Sequence, residues 1–67
     1  MASKRITVIV LEDDRRAELI FENIDGDRME FNSKDRVLVL PVKGSLLNEQ
    51  WVVPFVSHYC VQNELEW

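Results

Sequence analysis

Three short runs of β-branched and aromatic residues set the strongest constraint on the fold of this chain. The runs cover residues 4–11 (KRITVIVL), 36–42 (RVLVLPV) and 51–61 (WVVPFVSHYCV). Each has the length and the composition of a β-strand. Each is also apolar at both odd and even positions, whereas a strand in a solitary antiparallel sheet normally alternates apolar and polar side chains. We therefore predict strands that need cover on both faces.

The segment 13–24 admits two structures. An amphipathic helix is one, because its leucine, isoleucine and phenylalanine side chains could form a stripe and an aspartate could cap it. A strand is the other, because Asp25 and Gly26 follow it directly and form a strong signal for a type I′ hairpin turn. Such a turn would pair Ile24 with Asp27. We favour the hairpin.

These segments together predict the fold class. Turn residues separate five short apolar segments, which is typical of small all-β domains. We predict a mainly β protein, with a small five-stranded antiparallel sheet or an SH3-like partial barrel. The alternative is an α+β fold in which a helix at 13–24 packs on the sheet. The 67 residues allow a single domain, residues 1–67, and a domain of this size is expected to be only marginally stable.

The sequence VIVLEDD, residues 8–14, followed by RRAELI, resembles the first strand, acidic pair and first helix of response-regulator receiver domains. The resemblance implies a doubly wound domain of about twice this length, with Mg²⁺ beside a phosphoacceptor aspartate at the end of a later strand. Pro41 stands where that aspartate would be needed. We therefore interpret Glu12, Asp13 and Asp14 as a charged turn between two strands.

The sequence contains few groups for catalysis or metal binding. His58 and Cys60 lie two residues apart, which places them on the same face of a strand. They are the only histidine and the only cysteine in the chain, whereas zinc takes about four ligands. No phosphate-binding loop, glycine fingerprint or serine–histidine–aspartate arrangement is present. We expect no catalytic residue, no metal and no cofactor, and hence no enzyme activity.

The charge distribution restricts the partners. The net charge is −4, and Lys43 is the last basic residue. An acidic C-terminal third repels phosphate backbones and acidic membranes, so we expect no membrane partner and give nucleic acid low weight. A lone cysteine and the absence of a signal-peptide pattern favour a cytoplasmic protein.

The surplus of apolar strand faces predicts a protein-binding module. Exposed apolar surfaces mark interaction sites, and the partner would be another protein or a second copy of the chain in a homodimer. The predicted apolar face lies on the last run and comprises Trp51, Val52, Pro54, Phe55, Val56, His58 and Cys60.

Acidic side chains predict a second binding surface, one that would imitate DNA. Very small acidic domains without catalytic motifs are similar in kind to the inhibitors and regulators that phages and plasmids encode. Two alternatives are a structural or assembly subunit of a larger complex and a small nucleic-acid-binding barrel. The predicted acidic surface comprises Glu12, Asp13, Asp14, Asp25, Asp27 and Glu30.

Overall fold

The computed structural model describes residues 3–63, which form six strands in two antiparallel sheets. The prediction of a mainly β fold is confirmed, but the prediction of one five-stranded sheet is wrong. The first sheet has the order β2-β1-β6 and the second β3-β4-β5. No helix in residues 3–63 has the length and hydropathy needed to cross a membrane. The strands are β1 (Lys4–Glu12), β2 (Arg15–Ile24), β3 (Glu30–Asn32), β4 (Val37–Pro41), β5 (Gln50–Val53) and β6 (Val56–Asn63).

A long hairpin of β1 and β2 forms most of the first sheet. Val8 lies opposite Leu19, and the pairing continues to the turn. Asp13 and Asp14 both have positive φ, 47° and 65°, as the two central residues of a type I′ turn require. The predicted charged turn between two strands is confirmed. The alternative prediction of a helix at 13–24 is wrong, because residues 15–24 form β2, which pairs with β1.

We predict that this turn can be strengthened. Asparagine followed by glycine is the preferred pair for a type I′ turn, and a residue with a β-carbon at positive φ costs roughly 1–2 kcal/mol. The double substitution Asp13→Asn, Asp14→Gly is expected to raise the free energy of unfolding by about 1 kcal/mol. Urea denaturation followed by circular dichroism measures this change in the free energy of unfolding. The pair Asp13→Asn, Asp14→Ala removes the same charge but keeps the β-carbon. An equal gain in both variants would contradict the backbone explanation.

A bulge near the end of β2 joins the two sheets. The register between β1 and β2 shifts there, and Asn23 adopts a φ of 60°. Asparagine is among the few residues that take this left-handed conformation readily. The carbonyl of Asn23 accepts a hydrogen bond from the backbone N–H of Lys43 at 2.9 Å, and Ile24 then bridges to Val42. The bulge thus turns the end of β2 from the first sheet toward the second.

The segment after β2 corrects the predicted hairpin turn. A single 3₁₀ turn, Gly26–Arg28, follows Asp25, whose side chain accepts from the backbone N–H of Asp27 at 3.2 Å. The backbone N–H of Asp25 donates to the carbonyl of Pro41 at 2.9 Å. The predicted pairing of Ile24 with Asp27 is therefore wrong. Bonds to the second sheet and a side-chain cap outweigh the local preference for a type I′ turn.

The hydrophobic core lies between the two sheets. Two aromatic pairs join the sheets: Phe21 lies 5.5 Å from Trp51 between ring centroids, and Phe31 lies 5.4 Å from Tyr59. Tilted pairs at these separations stabilise a core beyond the area that they bury. The buried cluster consists of Ile6, Val8, Ile24, Leu38, Leu40, Val53 and Val56.

The prediction that the run 51–61 forms one strand is wrong. It is divided between β5 and β6, which belong to different sheets. Pro54 cannot donate to a strand ladder, and Phe55 adopts a φ of 59°. The carbonyl of Phe55 accepts from the backbone N–H of Leu11 at 3.0 Å, which fixes the start of β6 beside β1.

Candidate functional site

The structure separates the residues of the predicted apolar face. Val56 is fully buried in the core, so it belongs to no exposed surface. A register shift between Ile9 and Val10 places Val56 opposite Val10 on the inner face, whereas His58 lies opposite Ile9 on the outer face. One extra residue in a strand reverses the side chains that follow, which explains why even-numbered positions do not share a face here.

His58 and Cys60 share the outer face of β6, and the other members of this predicted face lie in three further places. Trp51 is on the inner face of β5 against Phe21, and Val52 is exposed on the opposite face of the same strand. Pro54 and Phe55 are exposed in the link between the sheets. They do not form one continuous strand face.

A second apolar area lies on the outer face of the first sheet. Ile9 is only 6% exposed although it points away from the core cluster, because β2 and β6 flank it on both sides. Ile20 is 59% exposed opposite Thr7, Cys60 is exposed on the other side of Thr7, and Leu11 is exposed two residues beyond Ile9 on β1. We name Ile9, Leu11, Ile20 and Cys60 the outer strip. Charged and polar side chains on neighbouring rows border it.

The acidic residues do not converge on one surface. Glu12, Asp13 and Asp14 lie at the β1–β2 turn, whereas Asp25 and Asp27 lie beyond the opposite end of β2. β2 has ten residues, and a strand rises about 3.3 Å per residue, so the two groups lie roughly 30 Å apart.

A basic side chain adjoins the acidic group at the β1–β2 turn. Arg15 lies opposite Glu12, and the open depression at the turn is lined by Glu12, Asp13 and Arg15.

Glu30, the last predicted acidic residue, lies on β3 in the second sheet. Within residues 3–63, no group of three or more histidine, cysteine, aspartate or glutamate side chains is placed to hold a metal ion.

The two most exposed large hydrophobic residues of the described chain were not among the predicted site residues. Leu46 is 97% exposed and Leu47 is 81% exposed, both in the loop between β4 and β5. We name Leu46 and Leu47 the leucine tip. The sequence does contain a signal for the leucine tip. Central positions of turns favour glycine, proline, asparagine, aspartate and serine, and two adjacent leucines depart from that preference.

Hydrogen bonds hold the loop beneath the leucine tip. The backbone N–H of Val42 donates to the carbonyl of Glu49 at 2.9 Å and closes the base of the loop. The backbone N–H of Asn48 donates to the carbonyl of Ser45 at 3.4 Å, and the hydroxyl of Ser45 accepts from the N–H of Glu49 at 3.2 Å. Lys43 bonds to the bulge at Asn23, so the loop is also tied to the first sheet. The leucines therefore project from a defined backbone.

The backbone conformation of the loop explains two of its residues. Gly44 and Asn48 flank the leucine segment and have φ values of 74° and 52°. Glycine takes such φ values without steric cost, and asparagine is among the residues with a β-carbon that tolerate them best. A β-carbon on Gly44 would meet no other protein atom within 4 Å. The positive φ, and not a lack of space, therefore favours glycine at this position.

The chain matches no protein-family model, no curated protein and no solved structure. The SH3-like architecture stays a prediction. The structure contains two exposed apolar areas, the projecting leucine tip on the second sheet and the outer strip on the first.

Proposed function

We propose that this chain is a non-enzymatic module that binds another protein, with the leucine tip as its anchor. The observation that carries the proposal is the exposure of Leu46 and Leu47, 97% and 81%, at the end of a hydrogen-bonded loop. These leucines make no contribution to the buried core. Exposed apolar groups that do not serve the fold are typical of interaction sites.

The energetics favour a protein partner. Burying a leucine side chain contributes roughly 1.5–3 kcal/mol, so two leucines offer about 3–6 kcal/mol before the costs of association. The hydrogen bonds at the base of the loop lower those costs, because the loop does not have to be ordered on binding. An apolar tip on a chain of net charge −4 suits a hydrophobic pocket better than a phosphate backbone.

The role in the cell that we propose is a cytoplasmic inhibitor or regulator of a larger protein, of the kind that phages and plasmids encode. A structural or assembly subunit is the second candidate, and the excess of exposed apolar side chains on both sheets supports it equally. The two roles differ in one measurable respect. An inhibitor or regulator changes the activity of its partner on binding, whereas an assembly subunit changes only the formation of the complex.

Photo-crosslinking tests the proposal. A photoreactive amino acid at position 47 is expected to give one discrete adduct in cells of the source organism. The same amino acid at position 34, in the exposed polar turn between β3 and β4, serves as the control. Leu46→Asn in the first variant is expected to weaken the adduct strongly. The absence of an adduct from position 47, or the same adduct from both positions, would contradict the proposal.

A further inference from the structure

β2 is an open edge of the first sheet. β2 pairs with β1 along one side, and within residues 3–63 no strand pairs with the other side of its stretch 16–22. Residues 15–20 are all exposed. A long edge strand that carries leucine, isoleucine and phenylalanine presents unpaired N–H and C=O groups and is a template for pairing with another chain.

We infer that the occupant of this edge is a second copy of the chain, bound through antiparallel pairing of β2 with β2 about a two-fold axis at Leu19. The stretch 16–22 begins with Arg16 and ends with Glu22, and Leu19 is its centre. Antiparallel pairing about that centre places Arg16 of each copy opposite Glu22 of the other. Opposite charges directly across two strands stabilise a sheet.

The charges also select this register. A shift of the axis to Glu18 places two glutamates opposite each other, and a shift to Ile20 places Glu18 opposite Glu22 twice. Like charges in those positions destabilise a strand pair. An axis between two residues would set outer-face residues against inner-face residues, which antiparallel pairing does not allow. An axis farther from Leu19 pairs fewer residues.

The local structure fits the pairing. The type I′ turn ends the stretch on one side and the bulge at Asn23 ends it on the other, so the register with β1 is regular from Arg16 to Phe21, and Glu22 directly precedes the bulge. Glu22 lies 3.6 Å from Arg5, between carboxylate oxygen and guanidinium nitrogen, but its side chain remains 65% exposed and accessible to a second cation. Leu19 and Ile20 are exposed on opposite faces and would both be covered at the axis.

The inference does not rest on the proposed function. The edge belongs to the first sheet, whereas the leucine tip lies in the loop of the second. A monomer could still bind a partner through the leucine tip, and a dimer through β2 would leave the leucine tip free.

Sedimentation equilibrium of the full chain tests the charge pairing. The mass of the wild type is expected to rise with concentration from 7.9 kDa toward twice that value. Arg16→Glu and Glu22→Arg each create like-charge pairs and are expected to raise the dimer Kd about tenfold or more. The double variant restores opposite charges and is expected to return the Kd close to that of the wild type. Arg28→Glu, on the 3₁₀ turn, changes the net charge as Arg16→Glu does and is expected to leave the Kd unchanged.

Disulfide trapping tests the position of the axis. In a Cys60→Ser background, Leu19→Cys is expected to form a covalent dimer under mild oxidation, because directly opposed strand residues lie at disulfide distance. Ala17→Cys is expected not to, because its opposite residue would be Phe21. A monomeric wild type at every concentration, a double variant that does not recover, an equal effect of Arg28→Glu, or equal trapping at 17 and 19 would overturn the inference.

Discussion

Leu38→Ala will lower the free energy of unfolding by about 2–5 kcal/mol, whereas Leu46→Ala will leave it within about 0.5 kcal/mol. The two substitutions remove the same atoms. Leu38 is fully buried on the central strand of the second sheet, opposite Phe31 on one side and Val53 on the other. Leu46 is 97% exposed.

The size of the first effect follows from the small core. Deleting a buried leucine loses its transfer free energy and leaves a cavity that the surrounding side chains fill only in part. A chain of 67 residues is expected to have a total stability of roughly 3–10 kcal/mol. Leu38→Ala therefore removes a large share of the stability, and Leu46→Ala removes almost none.

Urea denaturation followed by far-ultraviolet circular dichroism measures both variants. Leu40→Ala, also fully buried on β4, is a second core variant and is expected to behave as Leu38→Ala does. Similar losses for Leu38→Ala and Leu46→Ala would show that the loop leucine is packed in solution, and the assignment of the leucine tip as a free surface would then fail.

Local sequence patterns were sufficient to predict β1, β4 and the turn that follows β1. The β-branched run at 4–11 became β1, and the acidic residues after it formed the turn into β2. Hairpins form between neighbours in sequence, so their signals are local. The prediction of a mainly β fold followed from the same signals.

The arrangement of the strands in two sheets depended on contacts distant in sequence. Asp25 and Gly26 have the composition of a hairpin turn, yet a hydrogen bond to Pro41 and the aspartate cap produce a 3₁₀ turn. Pro54 was predicted to lie on the apolar face of a single strand, but it marks the passage of the chain from one sheet to the other. The face on which Val56 lies depends on the register shift in β6, which the sequence does not encode locally.

The candidate site was predicted less well than the fold. The expected surplus of exposed apolar side chains is present, on Ile20 and Leu11 among others. Its most exposed part, the leucine tip, was not predicted, because the predicted binding surfaces were a strand face and a set of acidic residues. Exposure of a loop residue depends on how the loop projects from the finished fold, which periodicity does not reveal.

The second large effect concerns binding. The double substitution Leu46→Asn, Leu47→Asn is expected to raise the Kd for the protein partner about 100-fold or more. Asparagine has the same number of side-chain heavy atoms as leucine and the same branching, but it carries a polar amide that a hydrophobic pocket would leave without hydrogen bonds. The free energy of unfolding should change little, because the leucine side chains contribute nothing to the core.

Two matched variants separate the leucine tip from other surfaces. Leu46→Met, Leu47→Met keeps the apolar character and should keep most of the affinity. Ile20→Asn changes an exposed residue of the outer strip and should leave the affinity for the partner unchanged, although it lies at the proposed dimer edge.

Titration calorimetry of the partner identified by crosslinking, with the wild type and with Leu46→Asn, Leu47→Asn side by side, tests the central claim most directly. We predict tight binding by the wild type and a Kd at least about 100-fold higher for the variant, with both proteins equally folded by circular dichroism. Equal affinity of the two folded proteins would contradict the claim that the leucine tip anchors a protein partner.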